Sequence, residues 1–340
     1  MGQNIFKYKN GFKLESGNKL PGLEIFYTTY GQLNEGKDNV IWIVHALTGN
    51  SDPLQWWAGL VGEGKLFDTN KYFIVCSNNL GSCYGTTGPA SINPLTNEKY
   101  GCSFPIITIR DIVNANELLR IHLDIDNIFL LVGGSLGGQI CLEWAITKPD
   151  LFKNVVPIAT NAKHSAWGIA FNETQRMALE DERNGIKIAR AIALLSYRGY
   201  DVYEKTQADI DGRLDGFSAS SYQRYQGVKL ENRFDKHCYY ILSKAMDSHN
   251  VARDSGDVAI ALKRIKARVL VIGIKSDLLF PISEQKLIAA SIQGAKLKII
   301  DSVYGHDGFL IENSKITIAI KSFLLTEIYI PKGAIYVKHN

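Results

Sequence analysis

Short runs of apolar and β-branched residues recur along the first and last parts of the chain, with helical periodicity in several of the gaps between them. Runs of this kind, bounded by polar or glycine-containing segments, are typical of strands buried on both faces of a parallel sheet. Apolar residues at helical spacing predict helices over 109–123 and 136–148. The predicted strands are 40–44, 72–76, 128–132, 155–159, 269–272 and 297–300.

The alternation of strands and helices predicts an α/β fold with a doubly wound, mostly parallel sheet. Between about residues 161 and 266 no strong strand pattern occurs, and the segments 185–197 and 233–247 have helical periodicity. Strands resume afterwards, so the sheet is built from sequence on both sides of this region. We therefore predict one core domain, 1–160 with 267–340, and a helical cap inserted at 161–266.

Composition and charge narrow the classes of function. Of 340 residues, 46% are hydrophobic and 21% charged, which is normal for a globular protein with a full core. The net charge of +4 is spread along the chain without a basic block, so we expect no nucleic-acid partner. No apolar stretch approaches the roughly 18 residues that a membrane span requires, and the first ten residues, MGQNIFKYKN, contain no signal-peptide core.

The cysteine pattern favours a reducing compartment. The chain has five cysteines, an odd number, with no CxxC pair. Reduced thiols fit this pattern better than a disulfide framework does. We therefore expect a cytoplasmic protein that does not associate with a membrane.

The segment VGGSLGGQ, residues 132–139, contains the pattern G-x-S-x-G between a predicted strand and a predicted helix. In that context the pattern indicates a sharp turn that presents a serine hydroxyl to a cleft, whereas a bare match is often only a structural turn. A serine oxygen becomes a good nucleophile only when a base removes its proton. Ser135 is therefore a candidate nucleophile, provided that a histidine and a carboxylate follow it.

A suitable acid and a suitable histidine follow in the required order, each just after a predicted strand. Asp277 lies in IGIKSDLLFP and His306 in VYGHDGFL. Carboxyl ends of parallel strands meet at one edge of a sheet, where ligands bind in open α/β folds. We prefer Asp277 to Asp307 as the acid, because the neighbour of His306 in sequence would struggle to reach the far ring nitrogen. The weaker candidates for the base are His45, His122, His164, His237 and His249.

Acyl transfer by serine also needs two backbone N–H groups that stabilise the oxyanion. In this turn the residue after the serine supplies one group, and a loop after an earlier strand supplies the second. We predict that the donors are Leu136 and, in the segment HALTG at 45–49, Leu47.

With these residues placed, the chain resembles the homoserine O-acetyltransferase family, whose members have the α/β-hydrolase fold. The resemblance covers most of the chain and is far more specific than G-x-S-x-G alone. It is carried by HALTG at 45–49, WWAGLVGEGK at 56–65, DTNKYFIVCSNNLGSCYGTTGPASINP at 68–94, FPIITIRDIV at 104–113, GGSLGG at 133–138, RYQGVKLENRFD at 224–235 and GHDGFL at 305–310.

The resemblance implies transfer of an acetyl group from acetyl-CoA to the hydroxyl of L-homoserine, by a ping-pong mechanism in methionine biosynthesis. It implies that Arg190 binds the homoserine carboxylate, that Tyr197 belongs to the acceptor site and that Asp307 receives the amino group. It also implies a homodimer formed through the cap. One departure is the segment ALEDERNG at 178–185, which is shorter than the usual connection in the family and implies a shortened cap.

Several related reactions use the same chemistry. A succinyl donor would need an extra cation in the acyl pocket, and none is evident in SNNLGSCYGTTGP at 77–89, which favours an acetyl donor. The residues also leave open L-serine as acceptor, hydrolysis of small esters and a non-catalytic binding role. Metal-ligand clusters and nucleotide-binding glycine motifs give no convincing match, so we expect acetyl-CoA as a co-substrate and no metal or bound cofactor.

Overall fold

A computed structural model describes residues 2–326, which fold around a central eight-stranded sheet. The last part of the predicted second core segment, 327–340, lies outside the described residues. The strands of this sheet are β1 (Gly2–Tyr8), β2 (Leu23–Tyr30), β3 (Val40–Val44), β4 (Phe73–Ser77), β5 (Ile128–Gly134), β6 (Phe152–Ile158), β7 (Arg268–Ile274) and β8 (Lys296–Ile300).

The strands lie side by side in the order β1-β2-β4-β3-β5-β6-β7-β8. β1 pairs with β2 and β2 with β4 in antiparallel fashion, whereas every later pair is parallel. The prediction of a doubly wound, mostly parallel sheet is therefore confirmed. β5 lies in the middle, and its residues through Val132 are almost entirely buried, which explains their continuous apolar run.

The continuous apolar runs do not include β1 and β2, which form the antiparallel side of the sheet; β1 lies at the edge, and β2 lies between β1 and β4. β1 reads GQNIFKY, and its residues are exposed or half-buried. A strand with one neighbour buries little apolar surface, so its sequence lacks the buried-strand pattern. Its pairing with β2, Gly2 opposite Thr29 through Tyr8 opposite Leu23, depends on the hairpin as a whole.

Helices cover both faces of the sheet, and two apolar clusters fill the spaces between. The core helices are α1 (Ile109–His122), α2 (Leu136–Thr147), α9 (Ile282–Ser291) and α10 (Asn313–Leu325). On one face α1 and α2 pack against the sheet through residues such as Ile112 and Trp144. On the opposite face α10 packs through Ile316 and Ile320.

The segment between β6 and β7 is helical, as the periodicity indicates. Its helices are α3 (Ala166–Leu179), α4 (Gly185–Tyr197), α5 (Tyr200–Gln207), α6 (Ser218–Glu231), α7 (Lys236–Asp247) and α8 (Val258–Leu262). α4 packs on α3 and α6, and it also packs on the 3₁₀ turn that carries His306. No helix within 2–326 is both long and apolar enough to cross a bilayer.

The remaining elements are short and lie in connections. They are the strand pairs Phe12–Lys13 with Lys19–Leu20 and Ile92–Asn93 with Glu98–Lys99, the helical turns Pro53–Trp56 and Gly308–Ile311, and the 3₁₀ turns Gly101–Ser103 and Gly305–Asp307.

Candidate active site

Ser135 occupies a strained turn between β5 and α2. Its φ of 58° and ψ of −124° lie in a region that non-glycine residues rarely adopt. Its amide donates to the carbonyl of Ile158 on the neighbouring strand, and its carbonyl accepts from the Thr160 hydroxyl. Strain held by such contacts is typical of functional sites.

The glycines of the motif are required by close backbone packing. A Cβ on Gly137 would lie 2.3 Å from the carbonyl oxygen of Val44, and one on Gly133 would lie 2.6 Å from the backbone of Gly137. Real Cβ atoms do not approach backbone so closely, so neither position can carry a side chain without a shift of β3 or α2. The two glycines thus allow the helix to start directly over the strand.

His306 and Asp277 form a buried pair beside this turn. Nδ1 of His306 lies 2.7 Å from Oδ2 of Asp277, and the side chains are 4% and 0% exposed respectively. Oδ1 of Asp277 accepts from the amides of Leu279 and Phe280 at 2.8 and 2.9 Å. The carboxylate is therefore fixed by the backbone and orients the ring through Nδ1, which leaves Nε2 available for a proton from a nucleophile.

Asp307 points away from this pair. Its Oδ2 accepts a 2.9 Å hydrogen bond from Nε of Arg198, and the Arg198 guanidinium stacks on the ring of Tyr222 at 5.2 Å. Asp277, rather than Asp307, is thus the carboxylate bonded to His306. Arg198 is not evident from the sequence, because nothing near it along the chain indicates a partner 109 residues away.

The two predicted oxyanion donors, Leu47 and Leu136, have backbone amides without a protein partner within residues 2–326. Leu136 is the first residue of α2, where a helix has no internal partner for its N–H. Leu47 lies in the loop after β3, and within 2–326 its amide donates no hydrogen bond to protein.

A cavity of about 390 Å³ connects these groups with the cap. Ser135 and His306 both line it, although no hydrogen bond joins Ser135 Oγ to the ring among the described residues. The cavity therefore brings together most of the site residues predicted from sequence, since it is also lined by Leu47, Arg190, Tyr197 and Asp307. It is also lined by Ala46, Thr48, Gly49, Asn50, Gln55, Trp56, Lys229, Arg233, Phe309 and Leu310.

The cap side of the cavity carries charge. The guanidinium of Arg190 lies 5.6 Å from the centre of the Tyr197 ring, and it has no carboxylate within ion-pair distance in the described part of the chain. The Tyr197 ring lies in turn 5.6 Å from that of His306. Burial raises the pKa of Tyr197, against the opposing effect of the Arg190 charge, so its hydroxyl remains protonated. A cation is therefore available to a ligand in the cavity near the base.

Three further histidines are buried and neutral. Burial lowers the pKa of His45 and of His164 to about 4 and that of His249 to about 3. None of them lines the cavity. Of the remaining two, His122 stacks on Phe6 and His237 contacts Cys102. No group of three or more metal-binding side chains occurs in residues 2–326.

Comparisons with known proteins show the fold and the family of this chain. The model of the alpha/beta hydrolase fold family matches residues 39–312. Homoserine O-acetyltransferase from Cyclobacterium marinum is 48% identical, and the match covers 96% of each chain. The crystal structure of homoserine O-acetyltransferase from Staphylococcus aureus has a TM-score of 0.82 at 28% identity and covers 98% of this chain and 97% of that one.

An esterase shares the fold at lower sequence similarity. The structure of esterase E22 has a TM-score of 0.86 at 22% identity and covers 95% of this chain and 99% of its own. A likeness at this level concerns the fold alone. The identity to the acetyltransferase, extending over nearly the whole length of both chains, is decisive: this chain belongs to the homoserine O-acetyltransferase family within the α/β-hydrolase fold.

Proposed function

We propose that this protein is a homoserine O-acetyltransferase that moves an acetyl group from acetyl-CoA to the hydroxyl of L-homoserine through an acetyl-serine intermediate. One observation carries the proposal. The cavity that contains Ser135 and His306 also contains a cation, Arg190, and an anion, Asp307. An amino-acid acceptor has one carboxylate and one ammonium. Arg190 complements the first, and Asp307, which is bonded to Arg198 through Oδ2, complements the second through Oδ1, which accepts no hydrogen bond within residues 2–326.

In the first half-reaction His306 accepts the Ser135 proton through Nε2 while Ser135 Oγ attacks the thioester carbonyl. The negative charge that develops on the carbonyl oxygen is stabilised by the amides of Leu47 and Leu136. The tetrahedral intermediate collapses, the C–S bond breaks, and His306 returns the proton to the leaving thiolate. Asp277 remains ionised and holds the ring through its Nδ1–H.

In the second half-reaction homoserine takes the place of CoA. Arg190 binds its carboxylate, Asp307 its ammonium, and Tyr197 covers the cap side of the acceptor. His306 then removes the proton from the homoserine hydroxyl, which attacks the acetyl-serine. Collapse of this second intermediate returns the proton to Ser135 and releases O-acetylhomoserine.

Transfer must compete with hydrolysis of the same intermediate. Well-oriented reactants reach effective concentrations of roughly 10⁵–10⁸ M, which exceeds that of liquid water. Two opposite charges can fix the acceptor in this way, and a cap over the cavity limits access of bulk water. This is the reason to prefer a transferase to a small-ester hydrolase built on the same three residues.

The proposal includes no resident metal or cofactor, with acetyl-CoA as co-substrate only, and a cytoplasmic location. It also includes a homodimer formed through the cap, where large apolar side chains are exposed. Exposed apolar side chains in this number on one helical segment support an interface with a second copy. They include Leu195, Tyr200, Ile210, Leu214, Tyr225 and Val228.

Thiol release with different donors and acceptors tests the function. The purified protein is mixed with acetyl-CoA or succinyl-CoA, each with homoserine, serine or no acceptor. We expect fast CoA release only with acetyl-CoA and homoserine. Equal release without an acceptor would indicate a hydrolase, and a preference for succinyl-CoA or serine would identify one of the related transferases.

A further inference from the structure

The loop that carries Leu47, residues 45–50, is held from two sides. We call it the oxyanion loop, in keeping with the proposed function on which this inference rests. Its amide can stabilise a transition state only if the loop backbone stays in place, since preorganised donors are what make such a site effective. Within the loop the amide of Gly49 donates to the carbonyl of Ala46 at 2.9 Å. That single turn leaves the outer end of the loop to be held by other segments.

From the core, His45 holds the start of the oxyanion loop. Its Nδ1 donates to the carbonyl of Ala46 at 2.8 Å, and its Nε2 accepts from the amide of Asn79 at 3.0 Å. One donor and one acceptor require the neutral ring, in agreement with the lowered pKa of this buried group. The inner end of the loop is therefore tied to the segment after β4.

From the cap, Arg233 holds the outer end. Its Nη1 donates to the carbonyl of Thr48 at 2.6 Å and to the hydroxyl of Tyr84 at 2.8 Å, and its Nη2 reaches the Thr48 hydroxyl at 3.3 Å. Thr48 directly follows Leu47. The Thr48–Gly49 peptide, two peptide groups after the one that contains the proposed donor, is thus fixed by a guanidinium from a residue 185 positions away.

The backbone of Arg233 is itself well anchored between α6 and α7. Its amide donates to the carbonyl of Leu230 at 3.0 Å, and its carbonyl accepts a weak hydrogen bond from the Cys83 thiol at 3.8 Å. The next residue, Phe234, is 5% exposed and packs edge-on against the Tyr84 ring. The guanidinium therefore extends from a fixed part of the cap, and its hydrogen bonds hold the oxyanion loop in place relative to the cap.

We propose that Arg233 is a positioning residue for catalysis. By binding the Thr48 carbonyl it keeps the Leu47 amide oriented towards the oxyanion. The oxyanion hole is then complete only when the cap packs on the core. Arg233 also lines the active-site cavity, and a direct contact with the phosphates of CoA is the competing role. The two roles differ in what they predict for a donor without phosphates.

The first test compares two acyl donors. Arg233→Ala should lower kcat/KM about 10²-fold for both acetyl-CoA and p-nitrophenyl acetate, since a shift of about 1 Å at a catalytic group costs roughly that much. Arg233→Lys should have an intermediate kcat/KM, because an ammonium cannot reach the same set of partners as the planar guanidinium. A loss confined to acetyl-CoA, through KM, would overturn the proposal in favour of phosphate binding.

The matched control is Arg224→Ala. Arg224 is an exposed arginine on the neighbouring helix, α6, and within the described residues it makes no hydrogen bond or ion pair. Its removal changes the net charge by the same amount and should leave both donors unaffected. Circular dichroism and thermal melts of the three variants establish that each is folded.

The second test observes the oxyanion hole directly. Wild-type protein acylated with 1-¹³C-acetyl-CoA in the absence of homoserine should show an ester carbonyl stretch lowered by hydrogen bonding. In Arg233→Ala this stretch should move to higher frequency, and guanidinium chloride at millimolar concentration should partly restore both the frequency and the rate. An unchanged stretch in a folded, acylated variant would disprove the positioning role. Failure of the wild-type protein to acylate at all would instead reject the proposed function.

Discussion

Nδ1 of His306 lies 2.7 Å from Oδ2 of Asp277, and the second oxygen of that carboxylate accepts two backbone amides. An ionised carboxylate can only accept, so the ring must carry its proton on Nδ1. This fixes the tautomer in which Nε2 is free to act as a base.

Asp277→Asn should therefore keep the positions of the two side chains and abolish the ability of His306 to act as a base. An amide can donate to Nδ1 and so favour the wrong tautomer, and the equivalent substitution in a serine protease lowers kcat about 10⁴-fold. We expect a loss of similar size in the rate of acylation by acetyl-CoA, measured by stopped-flow release of CoA. Asp307→Asn is the matched control. It should retain acylation and affect mainly the homoserine step.

Ser135 should carry the acyl group. Protein quenched with acid after mixing with ¹⁴C-acetyl-CoA and no homoserine should give one labelled peptide, with the label on residue 135. Ser135→Ala should take up no label while remaining folded. Label on another residue in the wild-type protein would contradict the assignment of the nucleophile.

Arg190→Ala should separate acceptor binding from acylation. Loss of a charged hydrogen-bonding partner in a partly buried site costs about 2 kcal/mol or more, which corresponds to a rise in the homoserine KM of roughly 30-fold. The burst of CoA release before homoserine is added should stay close to that of the wild-type protein. Arg190→Lys should recover part of the homoserine binding, because lysine keeps the positive charge but cannot donate two parallel hydrogen bonds as a guanidinium does. A lost burst with an unchanged homoserine KM would exclude the role.

Gly137→Ala should destabilise the turn that presents Ser135. The added methyl would lie 2.3 Å from the carbonyl oxygen of Val44, so β3 or α2 must move. Overpacking of this kind costs about 1–3 kcal/mol, measurable in urea unfolding curves. Gly212→Ala is the control, because no atom lies within 4 Å of a methyl at that position. Equal stability of the two variants would show that the backbone contact is tolerated.

Stability should fall on mild acidification. Burial lowers the pKa of His45 and His164 to about 4 and of His249 to about 3, from an ordinary value of 6.5. The unfolded chain therefore binds protons below pH 6.5 that the folded chain does not, and the free energy of unfolding decreases as the pH falls towards 4. Each such histidine contributes a slope of up to about 1.4 kcal/mol per pH unit.

Urea unfolding at about pH 7.5, 5.5 and 4.5 measures this slope. His249→Asn should reduce it, whereas His122→Gln, at an exposed position, should not. A stability that stays constant across this range would mean that these rings are protonated in the folded state.

The sequence determined features that depend on neighbours along the chain. Buried strands and amphipathic helices have their own periodicity, so the central parallel strands and the helical segment between β6 and β7 lie close to their predicted positions. The turn at Ser135 is equally visible, because it needs small residues at fixed spacing. The edge strand β1 has exposed or half-buried residues and lacks such a pattern. β2 lies between β1 and β4 and alternates buried with less buried residues at its start, and the sequence does not predict it because it is not a continuous apolar run.

Tertiary structure decided contacts of distant side chains that the sequence could not show. The sequence favoured Asp277 over Asp307 as the partner of His306, and the path of the backbone after β7 places Asp277 on Nδ1 of that ring, but the bond between Arg198 and Asp307 is evident only in the structure. Arg233 is likewise inconspicuous along the chain, although it bonds to Thr48 from 185 residues away. Contacts of this kind depend on how the elements pack in space, and no local pattern of residues encodes them.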